Sequence, residues 1–209
     1  MHIPGHIVIT KPDNSPDEIA RIIRMFRVGL DVLHLRKPGI SGTELLHFLQ
    51  NIPEKYHCRI VVHQHYEMIA KFGLKGIHLP ERARESYGKD LKRWLLEYRK
   101  KGFSVSTSFH TVRDIKFQMK HAFDYAFLSP VFDSISKTGH QGRLFDLSEK
   151  KLPFPIIALG GITPRHIPRL KKMGFSGAAS LGYVWNSEDP VKAYKGLQVQ
   201  CSTLQLHSG

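Results

Sequence analysis

Cysteine is scarce. The 209-residue chain has two, Cys58 and Cys201. They form no CxxC pair and share no motif with histidine. That excludes a disulfide scaffold and a thiolate zinc module, and leaves two reduced thiols of a cytoplasmic protein. Long apolar runs are missing as well. No segment approaches the ~18–20 residues that cross a bilayer. The opening Met-His-Ile-Pro-Gly lacks a basic stretch followed by an apolar one, so neither a secretory signal nor a membrane partner is expected. Acidic residues are the third shortage: 18 Asp+Glu stand against 31 Lys+Arg, a formal net charge of +13. Such a balance attracts anions, among them phosphorylated small molecules, nucleic acid and acidic membrane surfaces. Much of the charge lies in residues 89–101 and 165–172, which read as solvated outer faces of amphipathic helices. Charge alone selects no function.

What is present is an alternation. Eight short apolar, β-branched runs recur: 6–10 (HIVIT), 32–37 (VLHLRK), 59–64 (RIVVHQ), 76–80 (GIHLP), 103–109 (FSVSTSF), 125–130 (YAFLSP), 155–161 (PIIALGG) and 177–183 (GAASLGY). Between them lie stretches of 3.6-residue periodicity, such as 17–28 with its stripe of Ile19, Ile22, Ile23 and Phe26, 91–101 and 164–173. A last helix is expected over 189–197. Buried strands alternating with helices mean a parallel sheet with right-handed crossovers. The apolar share of 41% is enough for a sizeable core.

A faint internal repeat favours closure of that sheet. GLDVLHL from Gly29 resembles GLKGIHL from Gly73, with weaker echoes at Ala122 and Gly174, spaced by 44, 49 and 52 residues. That period spans two βα units, and each echo leaves a helix and enters a strand. Gly29, Gly73 and Gly174 suit the left-handed position that ends a helix. Four equivalent quarters fit a barrel better than an open sheet. The expected fold is therefore α/β, a single (β/α)8 TIM barrel over residues 6–197, with 198–209 as a C-terminal tail. The repeat places His34 and His78 in the same slot. Side chains alternate along a strand, so His34 and Arg36 share a face and point to the barrel axis near its C-terminal mouth.

Several segments could carry chemistry. Residues 124–137 (DYAFLSPVFDSISK) end a strand and open into a loop with Ser134, Ser136 and Lys137. Hydroxyls and an ammonium there suit a phosphate, although an ordinary polar loop has the same composition. Residues 155–163 (PIIALGGIT) put Gly160 and Gly161 where backbone amides can approach a ligand, ahead of a helix with Thr163 as N-cap. With Leu181 and Gly182 they form the phosphate loops after strands seven and eight. Arg36 and Lys37 end strand two as an anion-binding or ion-paired couple. His63, His65, His78 and His110 form a histidine set. Its HxH pair can bind zinc, but no carboxylate stands beside the pair, and a base or hydrogen-bonding role is preferred. Imidazole ordinarily titrates near operating pH, which suits a base, and HxH alone is a weak signal, so no metal site is expected.

These segments, in this order from about Ile7 to Trp185, resemble the family of thiamine phosphate synthases and TenI-like thiazole tautomerases. The resemblance rests on VLHLRKP, KGIHLPE, SFHT, DYAFLSPVFDSISK and PIIALGGIT. It implies a thiazole phosphate as ligand. The synthase branch joins it to a pyrimidine diphosphate with Mg²⁺; the tautomerase branch moves a proton without metal. By this resemblance Arg36 meets diphosphate, and Ser108 and His110 match a Ser-x-His-Thr motif. Ser134, Ser136 and Lys137 line the pocket, with Lys137 also counted as catalytic beside His34 and His78; Gly160, Gly161, Leu181 and Gly182 cradle phosphate, and the protein is expected to be a homo-oligomer, a dimer. The departures are specific. His63-Gln64 stands where synthases carry Asn-Asp, and Ala83 falls near the second metal aspartate, with Glu81 and Glu85 nearby. Pro38 replaces a lysine, His34 a glutamine, and Pro130 a tautomerase histidine. The missing aspartates favour proton-transfer chemistry with His34 or His78 as base and no cofactor. The synthase, with Mg²⁺, is the alternative; a non-catalytic paralogue binding a phosphorylated ligand or nucleic acid is a second, with no basic aromatic stripe to support nucleic acid.

Overall fold

The computed structural model describes residues 5–118, 123–133, 141–202 and 204. Eight parallel strands close on themselves in sequence order: β1 (His6–Ile9), β2 (Val32–Leu35), β3 (Ile60–Val62), β4 (Gly76–Leu79), β5 (Ser104–Phe109), β6 (Tyr125–Leu128), β7 (Ile156–Leu159) and β8 (Gly177–Ser180). Each falls within one of the eight runs. Closure is made by β1 on β8, with Ile7 opposite Ala179. Nine α-helices are described: α1 (Glu18–Arg27), α2 (Gly42–Gln50), α3 (Met68–Phe72), α4 (Glu81–Ser86), α5 (Leu91–Lys100), α6 (Val112–Phe117), α7 (Ile167–Lys172), α8 (Gly182–Trp185) and α9 (Pro190–Cys201). No helix lies between β6 and β7 among the described residues. None of the described helices is long and apolar enough to cross a membrane.

Local chemistry explains the ends of these elements. Ser41 and Glu44 form a reciprocal capping box at the start of α2. Thr111 accepts from Asp114 N–H at α6, and Asp189 accepts from the amides of Val191 and Lys192 at α9. Gly73 closes α3 at φ 58°, the left-handed conformation that the repeat requires. The basic stretches lie as expected: α5 buries Leu91 and Leu95, and α7 buries Ile167 and Leu170.

The alternation of strand side chains splits the core in two. Val8, Leu33, Leu35, Val62, Ile77, Val105, Leu128 and Ala158 face the helices in one continuous cluster. Ile7, Ile9, Val32, Val61, Tyr125, Phe127, Ile157 and Ala179 fill the barrel interior. Each fully buried Ile or Val contributes about 1.5–3 kcal/mol. Interior residues of this kind make the barrel a packed core and not a pore.

Candidate active site at the barrel mouth

Strand parity places His34 beside Val32 on the interior face, and Arg36 two residues further on. His34 is wholly buried, while Arg36 is exposed. The guanidinium stands close enough to disfavour protonation of His63 and His78. It has no acidic partner among the described residues. The expectation that His34 and Arg36 point along the axis toward the mouth therefore matches the structure.

Around His34 the interior is polar. His34 Nδ1 and His63 Nε2 are 3.0 Å apart, and His34 Nε2 lies 2.6 Å from the Tyr125 hydroxyl. Tyr125 stands opposite Ser106 in the β5–β6 register. His78 completes the line: its Nδ1 lies 2.9 Å from Ser106 Oγ and its Nε2 2.8 Å from Ser108 Oγ. Hydrogen bonds thus run His63–His34–Tyr125 and Ser106–His78–Ser108 side by side, and His34 and His78 each use both ring nitrogens. Phe127 packs on both rings, at 4.8 and 5.0 Å between centroids. Nitrogen atoms of His34, His63 and His78 all lie within 4.8 Å of one another.

Burial sets the electrostatics. Desolvation pushes His78 down to about 3 and holds His34 and His63 well below the ordinary imidazole range. Burial also pushes the Tyr125 phenol up. All three rings are therefore neutral at neutral pH. The expectation that His34 or His78 titrates near operating pH is corrected here: a fully desolvated ring resists the proton that a base must accept.

The other expected residues fall into groups. Ser108 is at the site through His78. His110 stands at the rim, its Nδ1 donating to the Ser129 carbonyl at 2.9 Å and its Nε2 3.8 Å from Glu81. His65 leaves the set, because its backbone turns to φ 54° and its ring goes to the Ile40 carbonyl. Lys37 departs from its expected place among the anion ligands. It is 2% exposed, faces the helices, and pairs with the 1%-exposed Glu18. Burial raises the Glu18 carboxyl, and Lys37 pulls it part of the way back. Gly160 and Gly161 do allow a close backbone approach, but the protein's own chain uses it. A Cβ would stand 2.9 Å from Pro130 Cα at the first and 2.2 Å from the Asp133 carbonyl at the second. Thr163 has the N-cap backbone but makes no capping bond; its hydroxyl lies 3.3 Å from His166 Nδ1. Leu181 and Gly182 lead directly into α8. Ser134, Ser136 and Lys137 lie outside the described residues.

Sequence reasoning missed Tyr125, Ser106 and Arg84. The period-two serines 104, 106 and 108 on β5 carried a signal, since alternate small polar residues on a buried strand face one another's partners. Arg84 carried none. Its Nη1 donates to Thr107 Oγ1 at 2.7 Å and to the Ser108 carbonyl at 2.6 Å, and the guanidinium lies 4.3 Å over Phe109.

Comparison with known proteins supplies a family context. The family model described as thiamine monophosphate synthase matches residues 6–184. Thiamine-phosphate synthase of Phocaeicola vulgatus is 26% identical over 162 residues, 70% of this chain and 72% of that protein. The thiamine-phosphate synthase of Chlorobium luteolum is 25% identical over all of this chain and 98% of its own. Among solved structures, thiamine phosphate pyrophosphorylase from Bacteroides thetaiotaomicron has a TM-score of 0.71 at 31% identity, covering 96% of this chain and 98% of that one. A 3-hexulose-6-phosphate synthase at 18% identity and TM-score 0.61 shares the fold.

Proposed function

The chain belongs to the thiamine monophosphate synthase family, and from that premise we propose that it joins a pyrimidine diphosphate to a thiazole phosphate. In this reaction the bond from the pyrimidine methylene carbon to diphosphate oxygen breaks, and diphosphate leaves with the electron pair. The thiazole nitrogen lone pair forms the new C–N bond, giving a thiazolium product. No base is consumed. That agrees with buried, unprotonated imidazoles, whereas the proton-transfer reading asks His34 or His78 to accept a proton that burial denies them.

The observation that carries the reading is Arg36. It is an exposed guanidinium at the mouth of a neutral site, free of an acidic partner among the described residues. Guanidinium matches phosphate oxygens two at a time, so Arg36 would bind the diphosphate and stabilise the charge it gains on leaving. Phe127 and the imidazoles of His34, His63 and His78 would supply the surface against which the reacting rings are held.

Magnesium, which the family's synthase branch uses, does not fit the residues present. A hard cation takes carboxylate and carbonyl oxygens. Among the described residues the one convergent group of potential metal ligands is three imidazoles. Gln64 stands at the family's aspartate position and is spent on the Lys37 and Ile40 carbonyls. Glu81 faces Arg84 and His110, and Asp133 accepts from the Gly142 amide. No step is therefore routed through Mg²⁺.

The test is direct. Purified protein given both substrates should release diphosphate and thiamine phosphate in equal amounts. Absence of thiamine phosphate at saturating substrates, together with isomerisation of the thiazole precursor, would replace this reading with the proton-transfer one.

A further inference from the structure

We infer that the barrel axis holds a nitrogen-ligated divalent transition metal, of the zinc and cobalt class, on His34, His63 and His78. His34 and His78 sit in β2 and β4, and His63 follows β3 directly, its amide donating to the Leu35 carbonyl at 3.3 Å. Their nitrogens lie within 4.8 Å of one another. In a tetrahedral site with Zn–N of 2.0–2.1 Å, ligand nitrogens stand about 3.4 Å apart. The widest pair must close by about 1.4 Å, and one ring of the His63–His78 stack, 4.2 Å between centroids, must turn to bring both lone pairs onto the ion; His34 Nδ1 and His63 Nε2 are already 3.0 Å apart.

Nitrogen softness selects the ion. Three neutral imidazoles with no carboxylate suit zinc, cobalt, nickel or copper and are poor ligands for magnesium. Two of the three ligands also have partners beyond the ion. A ligating histidine ordinarily anchors its second nitrogen to a hydrogen-bonding group, which fixes the ring and its tautomer. His34 Nε2 has Tyr125 at 2.6 Å. Whichever nitrogen of His78 takes the ion, the other keeps a serine: Ser106 at Nδ1 or Ser108 at Nε2. Three protein ligands leave a fourth position, which would be taken by water or by a substrate oxygen. The ion brings two positive charges beside Arg36 without a carboxylate to offset them. Anionic substrate would therefore occupy that fourth position in preference to water.

This inference concerns binding and stands whether or not the synthase reading does. Its test uses the full chain, stripped with a chelator and then dialysed against Zn²⁺ or Co²⁺ alone. One ion per chain is expected, with a tetrahedral Co²⁺ absorption spectrum showing imidazole ligation. His34→Gln and His63→Gln should each weaken binding by at least about 100-fold, and Tyr125→Phe by about 10-fold. His47→Asn, on the exposed face of α2, serves as the control for adventitious surface histidines and should change nothing. Failure to bind stoichiometrically, an octahedral aquo-type spectrum, or full retention in both ligand variants overturns the inference. Where a variant does not fold, the wild-type Co²⁺ spectrum decides alone.

Discussion

The two halves of the barrel interior differ. Strands β1, β7 and β8 present Ile7, Ile9, Ile157 and Ala179, an ordinary apolar filling. Strands β2, β4 and β5 and the end of β3 present His34, His78, Ser106, Ser108 and His63, with Tyr125 of β6 bonded to His34. Closure of the barrel requires only the first kind of surface. Burying polar groups costs free energy unless every one is paired, so the second kind is retained for something other than folding. The same contrast holds between consecutive residues of one segment. Arg36 points to the mouth without an acidic partner among the described residues, and Lys37 points outward into a buried pair with Glu18.

Lys37→Met is the sharpest way to break that last contrast. It strands Glu18 without its partner, and we expect a loss of about 3–5 kcal/mol, read by chemical denaturation. A loss below about 1 kcal/mol would mean that Glu18 takes up a proton at little cost. Arg36→Gln should do the reverse, leaving the denaturation midpoint in place while kcat/KM falls by about 10²-fold, or about 2.7 kcal/mol. Equal activity in the variant would remove Arg36 from the diphosphate site.

A third effect, taken ring by ring, comes from pH. In the unfolded chain imidazoles titrate near 6.5, but His6 and His78 are held down to about 3 by burial, and His34 and His63 well below the ordinary value. As pH falls below 6.5 the unfolded state binds more protons than the folded one, so stability falls. The slope approaches about 1.4 kcal/mol per pH unit for each such ring, and for His6 and His78 it lasts down to about pH 3. Above pH 7 these rings contribute no slope. Double replacement of His34 and His78 by Gln should flatten the acid limb; an unchanged limb would place its origin elsewhere.

Much of this architecture was legible in the sequence. Strands buried on both faces show as continuous β-branched runs, and the repeat marks its left-handed glycines, so strand order and closure could be read without coordinates. The facing of His34 and Arg36 followed from period two. Other features depended on contacts that sequence spacing does not encode. The HxH spacing suggested a pair on one face, yet β3 ends at Val62 and the chain turns at His65, so His63 joins rings from β2 and β4 instead. Lys37 looked like an anion ligand because its partner is 19 positions away on α1. Gly160 and Gly161 looked open to a ligand because nothing in the sequence shows that residues 130–133 pack against them.

Calorimetric titration of the chelator-treated protein with pyrimidine diphosphate, with and without Mg²⁺, tests the central claim most directly. The synthase reading, with Arg36 in place of a magnesium site, predicts binding that is indifferent to Mg²⁺ and weakened in Arg36→Gln. Binding of thiazole phosphate alone, with no uptake of the diphosphate under either condition, would contradict it.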